Sequence, residues 1–228
     1  MPVYATHRSS SEDVIKHRIL DTLDVDPKRL TLLHLELTSE PSIAAAADKL
    51  SSLLQPSSYM HTGFFTGGIL YPEKQPSDLD VVKITESFQI NVVSHLLLIK
   101  HFSRFLPTAQ KPQLTAPAKW VHVTARVGSI SDNARGGWYS YRSSKAALNQ
   151  VVKTFDLQLQ MNKSQAICVG VHPGTVKTDL SKGFWNSAAK RELFEPEDAA
   201  KALLGVVNGL KIEQRGKVWD WAGKEVPW

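Results

Sequence analysis

Tyr141 and Lys145 are the two residues whose types and spacing most directly indicate catalysis. They are four positions apart, so a helix places both side chains on one face. A phenol has an ordinary pKa of about 10, and a neighbouring ammonium favours the phenolate and lowers that pKa. Such a pair could exchange a proton with a substrate oxygen. The alternative is an ordinary helix with a half-buried tyrosine and a lysine that reaches solvent.

Further stretches on both sides of the pair extend the pattern. Arg126-Val127-Gly128-Ser129-Ile130 precedes it, residues 172–179 read His-Pro-Gly-Thr-Val-Lys-Thr-Asp, and residues 219–228 close the chain. Together with Tyr-Arg-Ser-Ser-Lys-Ala-Ala-Leu-Asn at 141–149, they strongly resemble the short-chain dehydrogenase/reductase family, in its C-factor-type, carbonyl-reductase-like branch. The resemblance covers nearly the whole chain. It implies an α/β fold with a doubly wound, Rossmann-like parallel sheet.

Alternating strand and helix patterns predict the same fold class. The predicted strands are 3–6, 30–37, 120–124, 166–172 and 217–221, with a weak, polar one at 59–65. The predicted helices are 13–23, 39–54, 78–106, 141–161 and 197–209. Residues 108–119 are interpreted as a surface connection.

The glycine-rich opening of a dinucleotide-binding fold is absent from the sequence. Such folds begin with a strand, a glycine-rich loop and a helix, which bring the pyrophosphate to a helix N-terminus. This sequence begins where the family's second strand would begin. We therefore expect a single domain over residues 1–228 that lacks its first βα unit, so that two strands lose a neighbour. Truncation and genuine loss of the cofactor are both open explanations.

The resemblance implies a catalytic set of Tyr141, Lys145, Asn91 and Ser129. Asn91 would hold a water that links Lys145 to solvent; a lone asparagine in an apolar helix otherwise lacks polar partners. Ala125 stands at the family's substrate-binding serine and cannot hydrogen-bond a carbonyl. Thr124 should point to the opposite face of its strand, so Ser129 is the better candidate.

The resemblance also implies NADP(H), with NAD(H) less favoured. Arg8 would bind the 2′-phosphate, although it could be a solvated surface residue. Glu36 and Leu37 would lie beside the adenine, and Glu36 could equally be an exposed strand-end charge. The other predicted cofactor contacts are Thr66 (in place of the family's Asn), Gly67, Gly68, Tyr141, Lys145, Pro173, Gly174, Val176 and Thr178.

Composition limits the other classes of function. The 228 residues carry a formal charge of +5, but their basic residues are scattered, which argues against a nucleic-acid surface. Cys168 is the single cysteine, so an intramolecular disulfide and a multi-cysteine metal site are excluded, and we interpret it as a core residue. No metal is expected. With no apolar segment of membrane-spanning length and no signal peptide, the expectation is a cytoplasmic protein.

Two functions are consistent with these residues. The first is NADP-dependent reduction of a small-molecule carbonyl compound, or oxidation of the alcohol, with aromatic residues such as Trp138 and Phe184 forming an apolar pocket and lid. The alternative is a cofactor-free relative that acts as a binding or oligomerisation module. Because family members commonly dimerise through their two long helices, here 84–106 and 141–161, a homodimer or homotetramer is expected.

Overall fold

A computed structural model describes residues 1–21, 23–109, 114–186 and 193–228. The chain divides into two compact units. The first comprises Met1–Tyr59 and Leu97–Arg104, and the second comprises Met60–Leu96 and Phe105–Trp228. The expected single domain over residues 1–228 stays a prediction.

The first unit contains a two-stranded parallel sheet with two helices. The register runs from Val3 opposite Leu30 to His7 opposite His34. Its complete elements are β1 (Val3–His7), α1 (Glu12–Leu20), β2 (Leu30–His34) and α2 (Glu40–Leu53).

Helix α2 shows why this part of the chain folds as the sequence predicts. Ser39 caps it by accepting a hydrogen bond from the Ser42 amide, and Pro41 lies in its first turn. Its apolar residues follow the i, i+3, i+4, i+7 spacing of a single buried face. They are Ile43, Ala46, Ala47 and Leu50.

The second unit is built on a five-stranded sheet of order β3-β4-β5-β8-β9. The first four strands are parallel and the edge strand β9 is antiparallel. Strands β6 and β7 form a separate parallel pair. The elements are β3 (Thr62–Phe65), α3 (Val81–Phe88), α4 (Ser94–Phe102, shared between the units), β4 (Ala118–Val123), α5 (Tyr139–Met161), β5 (Ala166–His172), β6 (Thr175–Val176), β7 (Leu193–Phe194), α6 (Pro196–Gly209), β8 (Val218–Asp220) and β9 (Glu225–Val226).

Helices cover both faces of the five-stranded sheet. Val121, Val169 and Val171 pack on one face against the apolar side of α6. Alternation along the strand turns Trp120 to the other face, where its ring meets Phe155 of α5 at a centroid distance of 5.2 Å. The predicted doubly wound α/β fold with a parallel sheet is confirmed. Among the described residues, β1 pairs only with β2, and β3 pairs only with β4.

The long helix predicted over 78–106 is wrong as a single element. Asp80 caps α3, accepting a hydrogen bond from the Lys83 amide at 3.0 Å. A π-helical turn over Gln89–Val93 then separates α3 from α4, which ends at Phe102. A π-helical turn contains one extra residue, and apolar periodicity does not reveal it because the apolar pattern continues on both sides of the turn.

The other boundaries differ by a few residues. The strand predicted over 30–37 ends at His34, and the helix predicted over 13–23 ends at Leu20. The predicted surface connection 108–119 is wrong at its end, since Ala118 and Lys119 belong to β4 and are buried; residues 110–113 lie outside the described residues. None of the described helices is long and apolar enough to cross a membrane.

A buried ion pair joins the end of the chain to α5. Asp156, 1% exposed, accepts hydrogen bonds from the Arg215 guanidinium and from the Cys168 amide. Cys168 is fully buried, and burial raises the pKa of its thiol well above the ordinary value, which agrees with the predicted core role.

We predict that Asp156→Ala lowers the free energy of unfolding by about 3–5 kcal/mol, because it leaves a mostly buried guanidinium without its counter-charge. Chemical denaturation measures this loss. The control is Glu225→Gln, which breaks the exposed Lys217–Glu225 pair and should cost less than about 1 kcal/mol. Equal losses in the two variants would contradict the structural role of Asp156.

Candidate active site

Helix α5 brings Tyr141 and Lys145 together inside the second unit. Both side chains are buried, at 7% and 3% exposure. The Lys145 ammonium donates to the Val123 carbonyl at 3.0 Å and lies 5.8 Å from the centroid of the Tyr141 ring. The predicted shared face is confirmed, and the alternative of a solvent-reaching lysine is wrong.

The protonation of the pair differs from the expectation. Burial raises the pKa of Tyr141 to about 12 and lowers the pKa of Lys145 to about 8. Both shifts favour the uncharged form of a group removed from water. The predicted lowering of the tyrosine pKa is therefore wrong for this structure, because burial disfavours the phenolate.

The first turn of α5 is held by an acidic residue that the sequence did not reveal. Glu73 is 3% exposed; its backbone carbonyl accepts from the Trp138 amide at 2.6 Å, and its carboxylate accepts from the Ser140 amide at 3.1 Å and from the Ser140 hydroxyl. A carboxylate at this end also complements the helix dipole. Nothing in the local sequence marks this contact, because Glu73 and Ser140 are 67 residues apart.

A left-handed backbone run leads into this turn. Gly136, Gly137 and Trp138 have φ values of 63°, 65° and 52°. Glycine adopts these values without steric cost, whereas tryptophan does so only where the surroundings hold it. Trp138 contacts the rings of Tyr141 and Phe184, at centroid distances of 6.1 and 4.8 Å. The structure thus places aromatic surface beside the tyrosine, as the predicted apolar pocket requires.

Asn91 lies fully buried in the π-helical turn and joins two segments. Its Oδ1 accepts from the Ile69 amide at 2.8 Å, and its Nδ2 donates to the Ile69 carbonyl at 3.0 Å and to the Ser144 hydroxyl at 2.9 Å. The expected lack of partners is resolved by these contacts. A π-bulge is a frequent feature of functional sites. The water-holding role of Asn91 stays a prediction.

The Thr66-Gly67-Gly68 loop follows β3 and approaches the lysine. A Cβ atom added to Gly68 would lie 3.3 Å from Lys145 Nζ and 3.5 Å from Asn91 Oδ1. Thr66 is exposed, and the Gly67 carbonyl accepts a hydrogen bond from an imidazole. The structure therefore brings this predicted cofactor loop to the Tyr141–Lys145 pair.

Ala125 follows β4 and, as expected, offers no hydroxyl at the position where the family has its substrate-binding serine. Ala125 is buried there, and the Thr124 hydroxyl donates to Asn149 of α5 at 2.7 Å. Ser129 is 1% exposed, and its hydroxyl oxygen accepts from the Asp132 amide at 3.1 Å. Its proposed contact with a substrate oxygen stays a prediction.

The loop after β5 carries the remaining predicted contacts of this unit. Pro173 is half-buried, and Gly174 has a φ of 78°, with the Phe194 and Trp221 rings within 3.0 Å of where a Cβ would stand. Val176 pairs with Phe194 in the small parallel sheet, and Thr178 is exposed.

Arg8, Glu36 and Leu37 belong to the first unit, and their relation to Tyr141 stays a prediction. Arg8 is exposed, and Leu37 is half-buried. The pKa of the Glu36 carboxyl is lowered by a hydrogen bond from the Thr38 amide and, more weakly, by the charge of Arg8. This local pairing favours a charged Glu36.

Comparison with known proteins identifies the family. The model of the family described as short chain dehydrogenase matches residues 9–189. A 1-hydroxy-2-glutathionyl-2-methyl-3-butene dehydrogenase of Rhodococcus sp. (strain AD45) is 33% identical over 218 residues, which cover 95% of this chain and 89% of that protein. The C-signal protein of Myxococcus xanthus is 34% identical over 151 residues, which cover 66% of this chain and 82% of that protein.

Solved structures share the fold. The NADPH-bound carbonyl reductase from chicken fatty liver has a TM-score of 0.82 and 24% identity, and the carbonyl reductase Sniffer of D. melanogaster has a TM-score of 0.84 and 20% identity. Each match covers 100% of this chain and 88% of the other. The chain belongs to the short-chain dehydrogenase family and is an oxidoreductase.

Close backbone packing at Gly128 sets the position of Lys145. A Cβ on Gly128 would lie 2.8 Å from the Lys145 carbonyl carbon and 2.9 Å from the Lys145 Cβ. Real Cβ atoms essentially do not make such short contacts, and the Lys145 carbonyl group and Cβ cannot move away without moving the helix backbone. Only glycine therefore allows the β4–α5 connection to approach the helix this closely.

We predict that Gly128→Ala displaces Lys145 and lowers the free energy of unfolding by about 1–3 kcal/mol through overpacking. Thermal unfolding measures the loss of stability, and nitrogen-15 NMR of the Lys145 ammonium measures its displacement. Gly183→Ala is the control, because a Cβ at exposed Gly183 meets no atom within 4 Å. Parent-like behaviour of both variants would contradict this close packing of Gly128 against Lys145.

Proposed function

We propose that this oxidoreductase reduces a small-molecule carbonyl compound with NADPH, or oxidises the corresponding alcohol. The observation that carries the proposal is the buried Tyr141–Lys145 pair beside the Gly68 loop and Asn91. Perturbed, buried titratable groups of this kind are typical of catalytic centres. The chicken and fly structures of the same fold are described as carbonyl reductases.

The residues around Lys145 fit the nicotinamide and ribose end of a nicotinamide cofactor, whereas the glycine-rich unit that would bind the pyrophosphate is absent from this sequence. Gly68 has no Cβ, which keeps the space beside the Lys145 ammonium open, and that ammonium can donate to ribose hydroxyls. The other proposed contacts in this unit are Thr66, Gly67, Tyr141, Pro173, Gly174, Val176 and Thr178. Arg8, Glu36 and Leu37 are proposed for the adenosine end. When bound, the reduced nicotinamide supplies the hydride.

The raised pKa of Tyr141 suits the reductive direction. With a pKa of about 12 the phenol keeps its proton at neutral pH and can donate it to the substrate oxygen. Lys145, with a pKa of about 8, is mostly an ammonium at pH 7, and its charge stabilises the phenolate that this donation leaves. Ser129 is proposed to bind the same substrate oxygen, since Ala125 has no hydroxyl.

A homodimer or homotetramer is also proposed, through the helices of residues 84–106 and 141–161. Val93 and Leu96 are 38% and 48% exposed, and Leu157 and Met161 of α5 are 44% and 75% exposed. Apolar side chains at these exposures support burial against a second chain.

The buried Ala125 favours one alternative, a cofactor-free binding or oligomerisation module. Loss of a hydrogen-bond donor to a developing oxyanion typically lowers turnover by about 10²–10³-fold. Calorimetric titration of the chain with NADPH separates the two functions. Saturable binding of NADPH supports the reductase and contradicts a cofactor-free module.

We predict that Tyr141→Phe lowers the rate of carbonyl reduction by at least about 10²-fold, because the acid is lost while the ring still packs. NADPH affinity should change little. Lys145→Met should lower both the rate and the affinity, since one side chain serves both. Steady-state reduction of a panel of aldehydes and ketones, with separate titration of NADPH, measures these effects.

The controls are Tyr71→Phe, which removes only the bond to exposed Glu86, and Lys153→Met on the exposed side of α5. Both should match the parent. If Tyr141→Phe keeps the parent's rate across the panel, Tyr141 is not the acid.

We also predict that the protein binds NADPH more tightly than NADH and that Arg8→Ala reduces this preference. A guanidinium pairs with the 2′-phosphate, which NADH lacks. Parallel titrations of both variants with both cofactors measure the ratio of affinities. Tighter binding of NADH by the parent, or an unchanged ratio in Arg8→Ala, would contradict the assignment.

A further inference from the structure

Two histidines are in direct contact beneath the Thr66-Gly67-Gly68 loop, and one of them contacts the Gly67 carbonyl. His95, in α4, and His122, in β4, are both fully buried, and their Nδ1 atoms are 2.8 Å apart. His95 Nε2 is 3.1 Å from the Gly67 carbonyl oxygen, and Trp120 Nε1 is 2.8 Å from His122 Nε2. These contacts form one unbroken chain from the sheet to the loop.

The two ends of the chain allow only one arrangement of protons. The indole N–H of Trp120 is a donor only, so His122 Nε2 must accept and the proton of neutral His122 is on Nδ1. That proton is donated to His95 Nδ1, which leaves the His95 proton on Nε2. His95 Nε2 then donates to the Gly67 carbonyl, which is an acceptor only. Each ring nitrogen therefore has a partner, and both tautomers are assigned by the network.

We propose that Trp120, His122 and His95 act as positioning residues that hold the Gly67 carbonyl and thereby the Thr66-Gly67-Gly68 loop beside Lys145. This inference rests on the proposed function, in which the loop contacts the cofactor. Ile69, two residues after Gly67, is held by Asn91, which is hydrogen-bonded to both the backbone N–H and the carbonyl of Ile69. The loop is thus fixed from two elements at neighbouring residues.

The geometry requires both rings to be neutral. If His95 were also protonated on Nδ1, its N–H would face the Nδ1–H of His122, and the two donors would repel. If the His122 proton moved to Nε2 to avoid this, it would face the N–H of Trp120 instead. Either protonation breaks a contact in the chain. Burial, reinforced by the charge of Lys145, lowers the pKa of His95 to about 4, and burial with the nearby His95 and Lys145 charges lowers the pKa of His122 well below its ordinary value.

This network makes stability depend on pH in a definite direction. Between about pH 4 and the ordinary histidine pKa of about 6.5, the unfolded chain binds a proton that folded His95 does not. The free energy of unfolding therefore rises with pH across that window and loses this dependence above it. Among the described residues, Lys145 is the charged group that lowers the pKa of both His95 and His122.

Nitrogen-15 NMR of the unliganded protein tests the proton arrangement directly. We expect His95 as the Nε2–H tautomer and His122 as the Nδ1–H tautomer, and neither ring should titrate between pH 5 and 8. Titration of either ring in that range, or the opposite tautomer at either ring, would overturn the proposal. No variant is needed for this measurement.

Trp120→Phe tests whether the network positions the loop. Phenylalanine can retain the stacking with Phe65, whose ring centroid is 4.0 Å away, but it removes the N–H donor that selects the His122 tautomer together with part of the buried indole ring. We expect mixed tautomers at His122 and roughly 5-fold faster amide exchange in residues 66–70, the effect of losing about one hydrogen bond. His95→Phe should accelerate exchange in the same residues. His101→Gln, which alters a histidine bonded to Glu40 in the first unit, is the control and should change neither signal.

The outcomes separate this inference from the proposed function. If Trp120→Phe releases the His122 tautomer but leaves exchange in 66–70 unchanged, the positioning role is wrong whatever the cofactor does. If exchange accelerates and NADPH affinity falls several-fold, positioning of the cofactor loop is supported. If exchange accelerates but neither parent nor variant binds NADPH, the loop-holding role stands and the cofactor assignment fails.

Discussion

The hydrogen bond from the Lys145 ammonium to the Val123 carbonyl is the contact on which the site depends. An ammonium removed from water is costly unless it has partners, and this carbonyl lies at the carboxyl end of strand β4, between β3 and β5 in the sheet. The helix must therefore pass close to the strand end, which Gly128 permits because it has no side chain. Gly68, which comes from another segment, also lies close to the Lys145 Nζ atom and has no side chain to crowd it. Two glycines and one carbonyl thus determine where the charge lies.

The same removal from water accounts for the character of Tyr141. A buried phenol remains protonated at neutral pH because its anion is poorly solvated. In the proposed reaction, the lysine beside it would stabilise the anion as it forms rather than create one beforehand. A protonated phenol is what the proposed carbonyl reduction requires, because the substrate oxygen gains negative charge.

Contacts from distant segments hold the surrounding backbone. Glu73 binds the residues at the start of α5 through its carbonyl and its carboxylate. Asn91 binds Ile69, and His95 binds Gly67. Each of these interactions involves a buried or partly buried polar group whose partner has to be supplied by the fold, since water does not reach it.

The sequence by itself determined the alternation of strands and helices and the shared face of Tyr141 and Lys145, because both follow from local periodicity. It also determined that Ala125 offers no hydroxyl. Only the tertiary structure decided the π-helical turn at Asn91, the contact of Glu73 with α5 and the pairing of His95 with His122. The His95–His122 and Glu73–Ser140 contacts join residues 27 and 67 positions apart and depend on which polar atoms burial leaves together. The raised pKa of Tyr141 has the same origin: desolvation belongs to the packed site, and residue spacing does not encode it.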